Sequence, residues 1–85
     1  MKLKVLYFAS VKERVGSDGE EIDVPAGVST VAELRAYLRS RGGPWEEVFA
    51  EKRLVKAAVN QDMVPPGAAV KPGDEIAFFP PVTGG

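Results

Sequence analysis

Apolar residues alternate with polar ones near both ends of the chain and take helical spacing in the middle. Residues 2–9 (KLKVLYFA) are rich in β-branched, aromatic and aliphatic types and predict a strand. Leu3, Val5 and Tyr7 face one way, and Leu6 and Phe8 the other. Residues 10–19 hold turn formers, with Gly16-Ser17-Asp18-Gly19 as the expected reversal of a hairpin. Ile22 and Val24 mark a second strand over 20–25. Thr30-Val31-Ala32-Glu33 then fits a capping box, with Thr30 at N-cap and Glu33 at N3. Val31, Leu34 and Leu38 form the stripe of a helix that faces a core, and Gly42 is placed to stop it. Pro44 can open a further helical turn or two, with Trp45, Val48 and Phe49 inward.

Strands follow at 54–59, at Asp62-Met63-Val64 and at 75–79, separated by the turns Asn60-Gln61 and Lys71-Pro72-Gly73-Asp74. In the last strand Ile76 and Phe78 point inward and Ala77 and Phe79 outward. Pro80-Pro81 ends it, because proline cannot donate to a ladder. The order β-β-α-β-β-β lets the first and last strands lie side by side and parallel. The expected fold is α+β, a ubiquitin-like β-grasp: a mixed sheet of about five strands with one main helix on one face. Residues 1–79 form that domain, and 80–85 a flexible, extended C-terminal tail ending in Gly-Gly.

Composition narrows the chemistry. The chain has 85 residues, enough for one small core. A formal net charge of -1 gives no basic footprint for nucleic acid. With no Cys and no His, thiolate chemistry and the commonest metal ligands and general base are absent. No apolar run approaches the roughly 20 residues that span a bilayer, and no signal peptide opens the chain, so no membrane partner and a cytoplasmic location are expected. No metal site is expected.

Two features remain for function. The sheet face without a helix should be polar, yet Leu6, Phe8, Ala77 and Phe79 lie on it, and Met63 can join them. Loops of the chain itself can cover such groups. Alternatively they form a docking patch, since contiguous exposed apolar groups mark interaction sites. The tail is the second feature. Pro80-Pro81 stiffen its base, Val82 and Thr83 favour extended geometry, and Gly84-Gly85 carry no side chain. Such an end is either frayed or a thin strip that can thread a channel. Its carboxyl, with a reference pKa of about 3.3–3.7, is ionised and resists nucleophiles until ATP converts it to an acyl-adenylate. A sulfur donor then makes a thiocarboxylate, and a lysine amine makes an isopeptide.

Lys4-Val5-Leu6-Tyr7-Phe8-Ala9, Ala57-Ala58-Val59-Asn60-Gln61 and above all the run from Gly73 to Gly85 resemble the sulfur-carrier (small) subunit of molybdopterin synthase. The resemblance covers the whole chain, and FFPPVTGG is its most specific part. It implies that Gly85, presented by Gly84, is adenylated, converted to a thiocarboxylate and donates sulfur to cyclic pyranopterin monophosphate inside the large synthase subunit. Two such transfers build the dithiolene of the molybdenum cofactor. The resemblance implies no bound cofactor, with ATP used by an activating enzyme akin to ubiquitin-activating enzymes. The other implied partners are the large subunit, in a heterotetramer, and a sulfur donor such as a cysteine desulfurase or rhodanese-type protein. It would place Phe8, Met63, Phe79, Pro80, Pro81, Val82 and Thr83 at the partner-binding surface. The alternatives are a thiamine-pathway sulfur carrier and a ubiquitin-like protein modifier. Arg35, Arg39, Arg41 and Lys52-Arg53 read as solvated faces, and Asp74 as a turn residue.

Overall fold

Alternation of Leu3, Val5 and Tyr7 against Lys2, Lys4 and Leu6 makes β1, Lys2–Tyr7, in a computed structural model that describes residues 1–81. The chain continues through α1 (Ala9–Val15), β2 (Gly19–Asp23), α2 (Val31–Arg39), α3 (Pro44–Val48), β3 (Lys56–Val59), β4 (Asp62–Val64) and β5 (Glu75–Phe79). The strands form one sheet in the order β2-β1-β5-β3-β4. β1 and β5 are its parallel central pair, with Val5 opposite Ile76 and Tyr7 opposite Phe78. The other pairings are antiparallel.

Helix α2 starts where the sequence places it. The Thr30 hydroxyl accepts the Glu33 amide at 3.2 Å, and the Glu33 carboxylate accepts the Ser29 hydroxyl, the Ser29 amide and the Thr30 hydroxyl. Those donors, Ser29 foremost, hold the Glu33 carboxyl below the usual carboxylate range. Leu34 and Leu38 are fully buried against Leu3, Val5 and Ile76 in one core. Apolar burial of this kind is the main favourable term in folding.

The expected turn over 10–19 is corrected: those residues carry a helix, α1, between the first two strands. Val11 and Val15 stand at i and i+4, and Val11 is buried in the core. Gly16 caps the helix at φ +73, a left-handed conformation open to glycine, and only Ser17 and Asp18 remain before β2. The helical layer therefore holds α1 and α3 beside α2. Strand β1 also ends two residues earlier than expected, because Phe8 already caps α1. The strand expected over 54–59 begins only at Lys56, and Leu54 stands exposed.

Tyr7, Trp45, Phe49 and Phe78 pack edge to face or stacked beneath α3, with Tyr7 and Trp45 centroids 5.3 Å apart. The Tyr7 hydroxyl donates to Glu20 at 2.8 Å. Arg41 grips the same carboxylate through both terminal nitrogens, at 2.8 and 3.0 Å, and lies 4.5 Å over the Trp45 ring. The reading of Arg41 as a solvated face is thus corrected. Arg35 is corrected likewise, since it donates to the carbonyls of Phe49 and Arg53.

This network makes stability depend on pH at both ends. Arg41 holds the Glu20 carboxyl below its ordinary range, so that contribution is present above pH about 4.5 and is lost as pH falls through the depressed value. Burial, and then Glu20, push the Tyr7 phenol well above 10, so that contribution is full below pH about 10 and declines as pH rises further. Tyr7→Phe is expected to cost about 1.5–3 kcal/mol at neutral pH. It should also flatten the loss of urea resistance above pH 10. Equal alkaline slopes for the two proteins would remove Tyr7 from the network.

The β3–β4 hairpin turns on Asn60 (φ +49) and Gln61 (φ +74), both left-handed. Asn60 is fastened to β5: its amide group donates to Asp74 and its carbonyl accepts the Glu75 amide, each at 3.0 Å. Among the described residues Gln61 makes no such bond, and it carries left-handed strain. Gln61→Gly is expected to stabilise the domain by about 0.5–1 kcal/mol, a Tm rise of roughly 2–8 °C. A fall in Tm would show that the Gln61 side chain contributes to the turn.

Candidate functional site

The helix-free face of the sheet is built by strand register. Gly19 lies opposite Leu6, Leu6 opposite Ala77, Ala77 opposite Ala58, and Ala58 opposite Met63. These residues form one apolar row across all five strands. Glycine is required at its first position, since a Cβ on Gly19 would stand 2.9 Å from a Leu6 methyl. A second row, Glu21, Lys4 and Glu75, flanks it with alternating charge. On the other side Lys56 faces Phe79.

The residues assigned by sequence spread along this face. The Phe8 amide donates to the Phe78 carbonyl at 3.1 Å, extending the parallel pairing of β1 and β5 by one residue. Phe8 thus stands beside the end of β5, with 47% of its surface exposed. Phe79 is half-buried at that end, and Pro80 and Pro81 follow, also half-buried. Pro80 borders a small cleft with Val11, Arg14, Val48 and Leu54. Met63, 65% exposed, belongs to the same face but to its far edge. Three strand spacings, about 14 Å, separate it from β1. Met63 therefore joins Phe8 through Leu6, Ala77 and Ala58 rather than by contact. Val82, Thr83, Gly84 and Gly85 lie outside the described residues.

Sequence reasoning missed Ala58 and Gly19. The signal for Ala58 was present: placing Val55, Ala57 and Val59 on one face puts Ala58 on the other. Small residues there leave the backbone near the surface and make a shallow, flat strip between Leu6 and Met63. Among the described residues no group of three or more Asp or Glu side chains gathers to hold a metal ion, and no buried side-chain polar atom lacks a hydrogen-bond partner. The described part of the site therefore presents a surface for docking and a chain leaving it at Pro80-Pro81.

The model of the ThiS family matches residues 5–85. The chain belongs to the ThiS family. Two relatives, each called a molybdopterin synthase sulfur carrier subunit, extend the match over its whole length. The one from Haemophilus influenzae is 43% identical, over 98% of this chain and 99% of its own. The one from Escherichia coli is 45% identical over the same shares. Among solved structures, SAMP1 from Haloferax volcanii superposes with a TM-score of 0.78 at 30% identity, each chain fully covered. One chain of the complex of subunits 1 and 2 of the molybdopterin-converting factor from Helicobacter pylori matches with a TM-score of 0.67 at 26% identity, again over both full lengths. The resemblance read from the sequence and the ubiquitin-like β-grasp fold both stand. Among the described residues no helix is long and apolar enough to cross a membrane.

Proposed function

We propose that this chain is the sulfur carrier of molybdopterin synthase and that the carboxyl of Gly85 is its reactive group. The observation that carries the reading is the match of the whole chain, over 98% of its length, to sulfur carrier subunits of that synthase. The central position of β5 supports it. A strand held on both sides by β1 and β3 is a rigid base for the stiff Pro80-Pro81 pair that follows it.

The chemistry is acyl activation. The Gly85 carboxylate attacks the α-phosphorus of ATP on an activating enzyme, giving the acyl-adenylate and pyrophosphate. Sulfide-level sulfur attacks the acyl carbon and expels AMP, leaving a thiocarboxylate. Where the donor is a protein persulfide, a thiol then reduces the acyl disulfide. The cysteine desulfurase or rhodanese-type donor and the activating enzyme supply the catalysis. This chain supplies an unhindered glycine carbonyl and a surface that partners hold. The large synthase subunit docks on the apolar row and Phe8, and receives the tail where cyclic pyranopterin monophosphate is bound. The Helicobacter pylori complex of two converting-factor subunits supports that partner. The synthase complex works in the cytoplasm.

Intact-mass spectrometry tests the assignment. Incubation with activating enzyme, ATP and sulfur donor is expected to replace one oxygen by sulfur, and deletion of Gly85 to prevent it. Higher-mass adducts on other proteins with no sulfur gain would overturn the reading in favour of a protein modifier.

A further inference from the structure

A second surface lies on the opposite side of the sheet and meets the features above only at Leu54, which also borders the cleft beside Pro80. Between α2 and the segment that leads into β3 runs a groove of about 610 Å³. Val31, Phe49, Ala57 and Phe78 form its floor. Ala32 and Ala36 of α2 make one wall, and Leu54 and Val55 the other. Leu54 is 77% exposed, the most open large apolar side chain among the described residues. Contiguous apolar surface of this kind marks interaction sites.

Two further observations say what fits there. The first is charge. Arg35, Arg39 and Arg53 line the groove, against Glu51 alone. Among the described residues none of these cations has an ion-pair partner. Their mutual repulsion is felt at Arg35, whose pKa is lowered by burial first and by Arg39 next. The second is backbone. Strand β4 pairs with β3 only as far as Val64 opposite Ala57, and Pro65-Pro66 follow, which cannot continue a ladder. Leu54 and Val55 take part in no backbone hydrogen bond among the described residues. Backbone with unpaired amides and carbonyls next to a strand end accepts another strand.

We propose that this groove binds an extended acidic peptide segment of a partner protein. Aliphatic side chains of the peptide pack between Leu54 and Ala36, its backbone pairs with Val55 where β4 ends, and its carboxylates meet Arg39 and Arg53. An acyl chain satisfies the floor but not the unpaired backbone, and a nucleic acid satisfies the cations but not the floor. Because the groove shares no residue with the row from Leu6 to Met63, a partner held here leaves the open face free.

The test is an NMR titration of the full chain with a synthetic peptide of alternating valine and glutamate, with a valine–lysine peptide as control. Amide shifts are expected over residues 31–39 and 51–57, with binding that weakens as salt is raised. Arg39→Glu with Arg53→Glu should weaken binding at least tenfold, and so should Leu54→Asp. Met63→Asp on the open face should leave it unchanged. Four results would overturn the proposal: no binding at millimolar peptide, equal binding of the lysine peptide, shifts confined to the open face, or shifts at the groove that come with protein concentration alone. The same groove shifts produced by octanoate, with no response to the acidic peptide, would also overturn it and assign the groove to acyl chains.

Discussion

A single residue appended after Gly85 is expected to abolish sulfur loading, whereas a tag before Met1 leaves it intact. The asymmetry is geometric. β1 and β5 run parallel, so Met1 and Pro81 leave the sheet at opposite ends, roughly 20 Å apart along six residues of strand. A tag at Met1 therefore stays clear of whatever grips the tail. An added residue moves the carboxylate beyond the reach of an active site shaped to a terminal glycine. It also puts a Cβ beside the reacting carbon. Positioning of reactants supplies about 7–11 kcal/mol of a typical barrier, so displacement by one residue removes detectable turnover rather than slowing it a little. Loading is read as the mass gain of sulfur over oxygen. Equal loading of the two tagged proteins would show that Gly85 is not the reactive end.

Phe8→Asp and Met63→Asp are each expected to weaken binding of the large synthase subunit by roughly tenfold to a hundredfold, from the 1.5–3 kcal/mol gained when such a side chain is buried. Both side chains are substantially exposed, at 47% and 65%, so the fold does not depend on them. Their effect on stability should stay within about 0.5 kcal/mol. Phe79→Asp is a less clean probe, since Phe79 is half-buried and part of its cost falls on folding. Calorimetric titration with the large subunit reads the effect, and unchanged affinity in both variants would place the docking surface elsewhere.

The strands and α2 were legible because their signals are local and redundant. Leu3, Val5 and Tyr7 alternate, Thr30 and Glu33 cap, and Val31, Leu34 and Leu38 make one stripe. The parallel β1–β5 pair followed from strand order. Helix α1 was not legible, although Val11, Val15 and Gly16 mark a helix with its cap. Ser10 and the Gly16–Gly19 run read more strongly as a turn, and seven residues carry too little propensity to decide. What makes α1 a helix is the burial of Val11 in a core assembled from distant segments. Arg35 and Arg41 were misread for the same reason. Their partners, the carbonyls of Phe49 and Arg53 and the Glu20 carboxylate, are distant in sequence and adjacent only in the fold. On the open face, alternation foretold Leu6 and Ala77 and the sequence suggested Met63, but strand order was needed to see that Ala58 links Met63 to the others.

On the proposed function, Gly85 carries sulfur to a pterin. Thiocarboxylated chain mixed with the large subunit and cyclic pyranopterin monophosphate tests it most directly, with the chain followed by intact mass and the pterin by chromatography. Dithiolene is expected to appear as the thiocarboxylate reverts to carboxylate, one chain spent for each sulfur gained. A thiocarboxylate that persists beside unchanged precursor, with a large subunit active on another carrier, would contradict it.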